Sequence, residues 1–422
     1  MARREGRRAI SVVCDGLGAD WLRPELTPTL CALSTRHLRV PGIRAVFPSV
    51  TRVSAASIAT GCLPARHGLI GNQVALRKGD RLAVHNVGHP NFRHAMRDAT
   101  GGTLRVPTMA ERLADRGGQV AFSNVSAGAA YFLDPEHFGT VLHRAGSFGP
   151  GGALLDGDDA LRVSHDLEGD RAMTTRFIDE VVAGGECRLG LLWLANPDLT
   201  THHAPLGSPA HLEALRVVDA LVADVVAAVT AQDDAERTLV TIGSDHGHET
   251  IDRGVHVGEW LSGHGLAGDV REGKIAVAGQ GTAALVYAIE EARARFDAVL
   301  PSLRVQPWAG EVHTGDALAE LGVGPAESLV ATIDMARLEQ ENPFGVVGSR
   351  WLAEDGESSR DMGCGQHGGL GPQETVPFLV LAAPGQGPGV VSRPASLVDI
   401  APTILAWLGV AAEGMDGRPL LD

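Results

Sequence analysis

Short apolar runs alternate along this chain with longer segments in which apolar residues recur at helical spacing. Runs with the length and composition of buried strands lie at residues 9–14, 119–124, 189–195, 238–243 and 376–382. One helix should begin at Pro28 with Thr27 as its N-cap, and Ser208-Pro209 should open a longer one. Strands that alternate with helices predict an α/β fold around a mostly parallel sheet.

Acidic residues follow three of the predicted strands, directly or after a short turn. They are Asp15, Asp198 and Asp245. In folds of this class, ligands bind where the carboxyl ends of parallel strands meet at one edge of the sheet. We therefore expect the three carboxylates to lie near one another at that edge.

The length of 422 residues exceeds what one hydrophobic core usually supports, which is about 250–300 residues. Segment 249–361 separates two parts of the predicted core and contains strand-like and helix-like runs of its own, such as 274–278 and 283–296. We predict that residues 1–248 and 362–422 form one α/β core and that 249–361 is an inserted cap lobe.

Composition and charge exclude several classes of partner. The net charge of −15 and the absence of a long basic run exclude a nucleic-acid polymer. No apolar run approaches the roughly 20 residues needed to span a bilayer, so no membrane partner is expected. The five widely spaced cysteines form no Cys-x-x-Cys pair, which is typical of a reducing compartment and predicts a cytoplasmic protein. An oligomer is possible.

The stretch 47–68 offers two candidate nucleophiles. Thr51 follows a Pro-Ser turn and precedes a helical run of small residues. Its hydroxyl should therefore lie at a helix N-terminus, where backbone N–H groups favour an anion such as a phosphoryl group. Cys62 begins a Cys-x-Pro-x-Arg pattern, which resembles the site converted to formylglycine in sulfatases. As an alternative, Cys62 is a small buried apolar residue.

Carboxylates and imidazoles are paired at two of the strand ends. Asp198 and His202 are four residues apart, and Asp245 and His246 are adjacent. Carboxylate oxygens together with neutral imidazoles suit zinc or a similar divalent ion. Taken singly, either pair could instead cap a helix or form a polar turn. Only the combination with Asp15, Thr51 and His367 makes the pattern specific.

These motifs, in this order, resemble the type I phosphodiesterase and nucleotide pyrophosphatase branch of the alkaline phosphatase superfamily, which also includes phosphonoacetate hydrolase. The matching segments span the predicted core from end to end; they are 12–18, 47–72, 196–209, 242–247, 365–368, 397–405 and 415–418. The resemblance implies a three-layer α/β sandwich and a hydrolase that cleaves a phosphodiester, phosphoanhydride or related phosphoryl bond of a small phosphorylated substrate.

Two divalent metal ions, most simply Zn²⁺, are implied by the same resemblance. One would be held by Asp198, His202 and His367. The other would be held by Asp15, Asp245, His246 and the Thr51 oxygen. Thr51 would be the nucleophile and would carry a phosphothreonine intermediate. Paired ions of this kind can clamp the attacking and leaving oxygens of an in-line displacement.

Residues near Thr51 set this chain apart from the family. Many relatives have Asn where this chain has Ser54, and Arg52 is unusual beside the nucleophile; both are candidate substrate-binding residues. Asn72 matches a family position near the active site and is a third candidate. Arg52 could clamp a phosphate oxygen or face solvent on the first helical turn. We assign no ligand role to His203 or His248.

Several other functions are compatible with parts of the pattern. A phosphonate hydrolase or a phosphomonoesterase would use the same residues, and a phosphomutase would return the phosphoryl group to the substrate. A sulfatase would instead use Cys62. A metal-binding protein without catalysis would keep the carboxylates but would have no need of Thr51.

Overall fold

The computed structural model describes residues 6–185, 187–326, 328–354 and 362–421. Within these residues, ten strands form one central sheet. In chain order they are β1 (Arg8–Cys14), β2 (Leu38–Arg39), β3 (Gln119–Ser123), β4 (Thr140–Leu142), β5 (Ser147–Phe148), β6 (Leu154–Leu155), β7 (Leu189–Leu194), β8 (Thr238–Gly243), β9 (Leu379–Ala382) and β10 (Gly389–Val390).

The centre of this sheet is parallel. Its spatial order is β10-β2-β9-β8-β1-β7-β3-β4-β5-β6. β1 pairs in parallel with β7 on one side and β8 on the other, and β3 and β4 continue the parallel arrangement beyond β7. β9 pairs antiparallel with β8. The carboxyl ends of β1, β7 and β8 therefore meet at one edge, as the sequence predicts.

Helices cover both faces of the sheet. The longer ones around it are α1 (Pro28–Arg36), α2 (Thr51–Thr60), α3 (Leu167–Phe177), α4 (Pro209–Thr230) and α5 (Ile400–Leu408). Ala9 and Val13 of β1 pack in one core with α2 and α5, whereas Ile10 and Val12 pack in another with α1, α3 and α4. β1, β7 and β8 are buried along their whole length, which is typical of parallel strands covered on both faces. The predicted three-layer sandwich is confirmed.

The first N–H groups of two helices find their acceptors in different ways, one in the local sequence and one through a tertiary contact. Ser208 precedes α4 and its Oγ accepts a hydrogen bond from the His211 N–H, as expected of an N-cap. Thr27 precedes α1 but does not cap it with its side chain. Thr27 is the N-cap residue of α1 and Pro28 is its first residue, as predicted, while the N–H groups of Thr29 and Leu30 donate to the carboxylate of Asp219 in α4.

Residues 249–354, together with Gly365–Gln366, build two smaller sheets. One contains Ile275–Gly279, Ala283–Ala288, Ala309–Thr314 and Leu329–Met335, and the other contains Glu249–Val255, Arg337–Glu341, Val347–Ala353 and Gly365–Gln366. Their core is shared with residues before this segment, such as Phe47, Leu69 and Val74. The limits of the cap lobe stay a prediction, and its C-terminal end at 355–361 lies outside the described residues.

Shorter elements complete the described chain. A hairpin is formed by Gln73–Lys78 and Arg81–Asn86, and Ile43–Arg44 pairs with Ala395–Ser396. The remaining α-helices are Pro64–His67, Phe92–Thr100, Met109–Leu113, Ala127–Tyr131, Asp198–Thr201, Val257–Leu261, Ala267–Arg271, Glu290–Leu303 and Asp316–Glu320. Among the described residues, no helix combines the length and the apolar character that crossing a bilayer requires.

Candidate active site

Thr51 lies where the sequence places it, as the first residue of α2. Val50 before it is extended, and the side chain of Thr51 is only 8% exposed. The Thr51 hydroxyl donates to Oδ1 of Asp15 at 3.5 Å, and its oxygen is 3.1 Å from Nε2 of His246. The candidate nucleophile therefore faces both an acid and an imidazole across the strand ends, and it also lines a cavity of about 290 Å³.

Asp15, Asp245 and His246 form a compact group beside Thr51. Asp15 follows β1 and Asp245 follows β8, which is the neighbouring strand. The indole N–H of Trp193 donates to Oδ2 of Asp15 at 2.9 Å, and the N–H of Gly16 donates to Oδ1 of Asp245 at 3.1 Å. Nε2 of His246 is 3.2 Å from Oδ2 of Asp245 and 3.5 Å from Oδ1 of Asp15.

Asp198 is the centre of a second group. It begins the short helix Asp198–Thr201 after β7, so His202 lies one turn further on the same helical face. Oδ1 of Asp198 is 3.2 Å from Nε2 of His202, 3.3 Å from Nε2 of His367 and 2.8 Å from Nε2 of His248. The structure thus brings together all seven residues of the predicted metal and nucleophile set.

Hydrogen bonds fix which ring nitrogen two of the histidines present to the carboxylates. Nδ1 of His367 donates to the Ser49 carbonyl at 2.8 Å, and Nδ1 of His246 donates to the Gly247 carbonyl at 3.1 Å. A neutral imidazole that donates from Nδ1 keeps a lone pair on Nε2, which is the state a metal ligand needs. The two rings stack with their centroids 3.6 Å apart.

The pKa shifts of the buried residues in the two groups indicate that these groups bind a cation. Burial and the nearby Asp245 and Asp198 hold the pKa of Asp15 well above its usual range. Burial also raises the pKa of Asp245 to about 8 and lowers that of His246. Burial opposes ionisation of Asp198 too, but the surrounding histidines, His202 first, hold its pKa well below the usual range.

The residues present fit divalent metal ions. Oδ2 of Asp245 is buried without a hydrogen-bond partner, so an acceptor is left for a ligand that is not protein. Two groups of residues each bring one ligand atom per residue to within 4.8 Å of the others in the group. One group is Asp198, His246, His248 and His367, and the other is Asp15, Asp245 and His246. Oxygen and imidazole nitrogen ligands of this kind suit zinc and similar ions.

His248 is the residue that sequence reasoning left unassigned, and it lies in the centre of the site. Its Nε2 is 2.8 Å from Oδ1 of Asp198, and its Nδ1 donates to the Gly16 carbonyl at 3.0 Å. Gly16 has a φ of +68°, and a Cβ there would lie 2.2 Å from Cε1 of His248. The sequence signal for His248 was its place as the second His of Asp-His-Gly-His. His203, the other histidine without an assigned role, is exposed.

Replacing His248 should weaken metal binding. His248→Leu removes the group that faces the Asp198 carboxylate, and losses of such partners typically cost about 10- to 100-fold in metal affinity. His248→Gln keeps a polar group of similar reach next to Asp198 and should recover most of the affinity. Competition with a zinc chelator measures the effect; equal affinity of His248→Leu and wild-type protein would contradict it.

The predicted substrate-binding residues divide into two that reach the cavity and one that does not. Arg52 and Asn72 line it. The Arg52 guanidinium donates to the Asn72 carbonyl at 2.9 Å and to Ser126 Oγ at 3.1 Å, so it is anchored in the cavity wall. Ser54 is fully buried one helical turn beyond Thr51 and is not among the lining residues. The structure does not bring Ser54 to the cavity.

Cys62 is also remote from this chemistry. It is 1% exposed after the end of α2, and its Sγ lies 3.5 Å from the Thr60 carbonyl. Burial raises the pKa of the Cys62 thiol. The Arg66 of the sulfatase-like pattern pairs with Asp416 at 2.7 Å. Cys62 does not line the cavity and has the surroundings of a buried apolar residue.

Buried carboxylates fix the loop that carries His367, which sequence reasoning did not predict. The N–H of Gly369 donates to Glu374 at 3.0 Å, and the N–H of Leu370 donates to Asp334 at 2.8 Å. Burial raises the pKa of Asp334 to about 6. These acids are far apart in the sequence, so no spacing indicated that they meet.

The cation among these acids is Arg350, and removing it should destabilise the protein. Arg350 donates to Asp334 and lies 3.7 Å from both Glu249 and Glu374. Arg350→Met leaves the buried Asp334 and Glu374 without this cation, whereas Glu249 keeps Arg337 at 3.2 Å. Removing one partner of a buried ion pair typically costs about 3–5 kcal/mol. Denaturant unfolding measures this, with Arg253→Met as the control because its ion pair is exposed and worth about 1 kcal/mol or less. Equal effects of the two variants would contradict the assignment.

Comparison with known proteins identifies the family. The sequence profile of the type I phosphodiesterase/nucleotide pyrophosphatase family matches residues 9–313. The chain belongs to this family. It is therefore a hydrolase of phosphoryl compounds, the predicted resemblance is confirmed, and metal dependence is general to the family.

Individual relatives agree with this family. A 63-residue segment is 38% identical to an uncharacterised pyrophosphatase/phosphodiesterase of Schizosaccharomyces pombe, and it covers 15% of this chain and 13% of that protein. Two structures of murine ectonucleotide pyrophosphatase/phosphodiesterase 5 share the fold. One, an inactive variant in complex with AMP, has a TM-score of 0.69 at 16% identity and covers 98% of this chain and 97% of the murine one. The other has a TM-score of 0.68 at 15% identity, covering 98% of both chains.

Proposed function

We propose that this family member is a two-metal hydrolase that cleaves a phosphodiester, phosphoanhydride or related phosphoryl bond through a covalent intermediate on Thr51. The observation that carries the proposal is the position of the Thr51 hydroxyl, 3.1 Å from His246 and 3.5 Å from Asp15 at a helix N-terminus. A hydroxyl that only stabilised the fold would not need two buried groups of metal-binding side chains beside it.

Each of the two groups would hold one ion. Asp15, Asp245, His246 and Thr51 would hold one, and Asp198, His202 and His367 the other, with His248 positioning the Asp198 carboxylate. When bound, divalent ions of this kind offset the charge of the phosphoryl group and lower the pKa of a nucleophilic hydroxyl. Zinc suits the mixture of carboxylates and imidazoles.

Thr51 would carry out the displacement. Its Oγ1 would form a bond to phosphorus while its hydroxyl proton passes to solvent, and the bond from phosphorus to the leaving oxygen would break, with the electron pair staying on that oxygen. The N-terminus of α2 favours the negative charge of the transferred group. The oxygen of a water molecule would then form a bond to phosphorus as the bond to Oγ1 breaks, and one proton of that water would go to solvent while Oγ1 regains a proton, which restores Thr51.

The partner would be a small phosphorylated molecule. A cavity of about 290 Å³ suits a small ligand, and the net charge of −15 opposes a nucleic-acid polymer. The murine structural relative is known in complex with AMP, so a nucleotide belongs in any substrate panel. The cytoplasmic location, the inserted cap lobe and an oligomeric state stay predictions from the sequence.

Hydrolysis of bis(4-nitrophenyl) phosphate tests this function directly. Protein loaded with zinc should release 4-nitrophenol, and metal analysis of the active protein should give two ions per chain. Activity that is complete with one ion per chain, or no hydrolysis of any phosphoryl compound, would overturn the proposal.

A further inference from the structure

A hairpin turn at residues 280–282 reaches the active-site cavity from one of the two smaller sheets. The Gln280 N–H donates to the Ala283 carbonyl at 2.8 Å, which closes the turn. Gln280 and Gly281 line the same cavity as Thr51. The proposed chemistry assigns no role to this turn, which is remote in the sequence from the nucleophile.

The backbone of the turn packs directly against the loop that carries His367. The N–H of Thr282 donates to the His367 carbonyl at 3.3 Å. Gly281 has a φ of +78°, and a Cβ there would lie 2.2 Å from the His367 carbonyl oxygen. Gly368 has a φ of +132°, and a Cβ there would lie 1.6 Å from the Gln280 carbonyl oxygen. Because both positions are glycines, the two backbones touch, and the turn is fixed against a residue of the second metal-binding group.

The side chain of Gln280 holds a different part of the chain, at Asn72. Its Oε1 accepts from the Asn72 N–H at 2.6 Å, and its Nε2 donates to the Gln73 carbonyl at 2.7 Å. Gly71 leaves room for this amide, since a Cβ there would lie 2.9 Å from both Nε2 and Oε1 of Gln280. Gln280 therefore connects the His367 loop, through its backbone, with the segment of Asn72, through its side chain.

Gln280 has no donor left for a substrate. Its Nε2 also donates to the Ala278 carbonyl at 3.2 Å, so both of its N–H groups are used within the protein. The residue is only 2% exposed. Any effect of Gln280 on the reaction must therefore pass through the residues that it holds in place.

Asn72 is the residue that can transmit such an effect. It lines the cavity, and its Oδ1 accepts from the Arg52 N–H at 3.3 Å. Because a backbone N–H can only donate, this bond fixes the amide oxygen of Asn72 and leaves its NH₂ group for other acceptors. Gln280 contacts the backbone of Asn72, whereas the Asn72 side chain is the predicted substrate contact.

We propose that Gln280 is a positioning residue for the reaction, which holds Asn72 in place relative to His367 so that the Asn72 amide meets the phosphoryl group of the substrate. This inference rests on the proposed function. Loss of the Gln280 amide should displace Asn72 and weaken binding of the phosphoryl group, while every metal-binding side chain stays present.

Binding to Thr51→Ala protein measures this role without turnover. Isothermal titration calorimetry with 4-nitrophenyl phosphate, with free zinc held constant by a metal buffer, gives Kd in the Thr51→Ala parent and after adding Gln280→Met, Asn72→Ala or both. Gln280→Met keeps a side chain of similar length but removes its hydrogen bonds. Each single replacement should raise Kd about 10-fold, as for one lost hydrogen bond. Zinc affinity, measured with a competing chelator, should change less than about 3-fold.

The double replacement separates a positioning role from a merely structural one. If Gln280 acts through the Asn72 side chain, Gln280→Met should raise Kd less than about 2-fold once Asn72 is already alanine. Independent effects would instead multiply to about 100-fold. Gln306→Met is the matched control and should leave Kd unchanged, because the Gln306 amide donates to the Ser302 carbonyl at 2.9 Å and Gln306 does not line the cavity.

A second variant keeps the test independent of how well Gln280→Met folds. Gln280→Glu retains an acceptor for the Asn72 N–H, so its Kd should lie between those of the parent and Gln280→Met. A Kd for Gln280→Glu above that of Gln280→Met would count against the assignment.

The outcomes separate this inference from the proposed function. An unchanged Kd after Gln280→Met, effects of the two replacements that multiply, or a loss of zinc affinity as large as the loss of ligand affinity would overturn the inference alone. The proposed function is overturned independently if wild-type protein with bound zinc hydrolyses no phosphoryl compound.

Discussion

Thr51→Ala should lower kcat for bis(4-nitrophenyl) phosphate by about four to six orders of magnitude, as expected when a covalent nucleophile is removed. Under the proposed function, the Thr51 oxygen forms the new bond to phosphorus, whereas the nearby Thr201 hydroxyl donates to the Asp198 carbonyl at 2.8 Å. Metal content and folding should change little, because Asp15, Asp245 and His246 keep their hydrogen bonds to Trp193, Gly16 and Gly247. Steady-state kinetics together with metal analysis measure both.

A matched variant is available in the same helix. Thr60 ends α2, is 1% exposed, and its hydroxyl donates to the Ala56 carbonyl at 2.7 Å. Thr60→Ala should change kcat less than about 3-fold, because the Thr60 hydroxyl contacts Ala56 and Cys62 and no metal-binding side chain. Thr51→Ala protein that keeps more than about a tenth of the wild-type rate with both ions bound would exclude Thr51 as the nucleophile.

Removal of the metal ions should abolish activity and make the stability of the protein dependent on pH. Without a cation, Asp15 and Asp245 lie buried beside each other with raised pKa values. Asp245 has a pKa of about 8 in the folded protein and an ordinary value of 3.8. Between these two values the unfolded chain releases a proton that the folded chain keeps.

The sign of the effect follows from this difference. As pH rises from about 4 to about 8, the free energy of unfolding of the metal-free protein falls, by about 1.4 kcal/mol per pH unit for one such group. Above the folded pKa no further loss arises from Asp245. Bound zinc replaces the proton as the partner of the carboxylates, so it should raise the Tm more at pH 8 than at pH 5.

Thermal unfolding with and without a chelator measures this dependence. Asp245→Asn removes the titrating group, so the slope of Tm against pH in chelator should become shallower than in the wild-type chain. Metal-free protein whose Tm does not change between pH 5 and pH 8, or full activity in the chelator, would contradict the prediction.

The fold could be predicted where a single segment is apolar along its whole length. The runs at 9–14, 189–195 and 238–243 became β1, β7 and β8, because parallel strands covered on both faces must be apolar throughout. The pairing direction of β9 was not predictable, since an apolar run does not encode the direction of its neighbour. The acceptor for the first N–H groups of α1 was not predictable, because Asp219 lies 190 residues from Thr29 in the sequence.

The site was predictable to the extent that its residues follow strand ends or helix starts. Asp15, Asp198, Asp245 and Thr51 each occupy such a position, and the structure places them together. His248, which was left unassigned, contacts a residue of another segment. Its local sequence does not show that it faces Asp198, which is 50 residues away.

Arg52 and Ser54 show a related limit. Both flank Thr51 in the sequence, yet the helix turns Arg52 toward the cavity wall and carries Ser54 a full turn into the core. Being close to Thr51 in the sequence therefore predicted a place at the cavity correctly for Arg52 but not for Ser54. The substrate preference of this enzyme is better sought in the cavity wall, where segments remote in sequence meet.

Trapping of the covalent intermediate tests the central claim most directly. Zinc-loaded protein is mixed with bis(4-nitrophenyl) phosphate, quenched in acid within one turnover, digested, and analysed by tandem mass spectrometry. We expect a substrate-derived phosphoryl group on Thr51 that appears and decays with turnover and is absent from Thr51→Ala protein. A phosphoryl group on any other residue during turnover, or turnover without an adduct on Thr51, would contradict it.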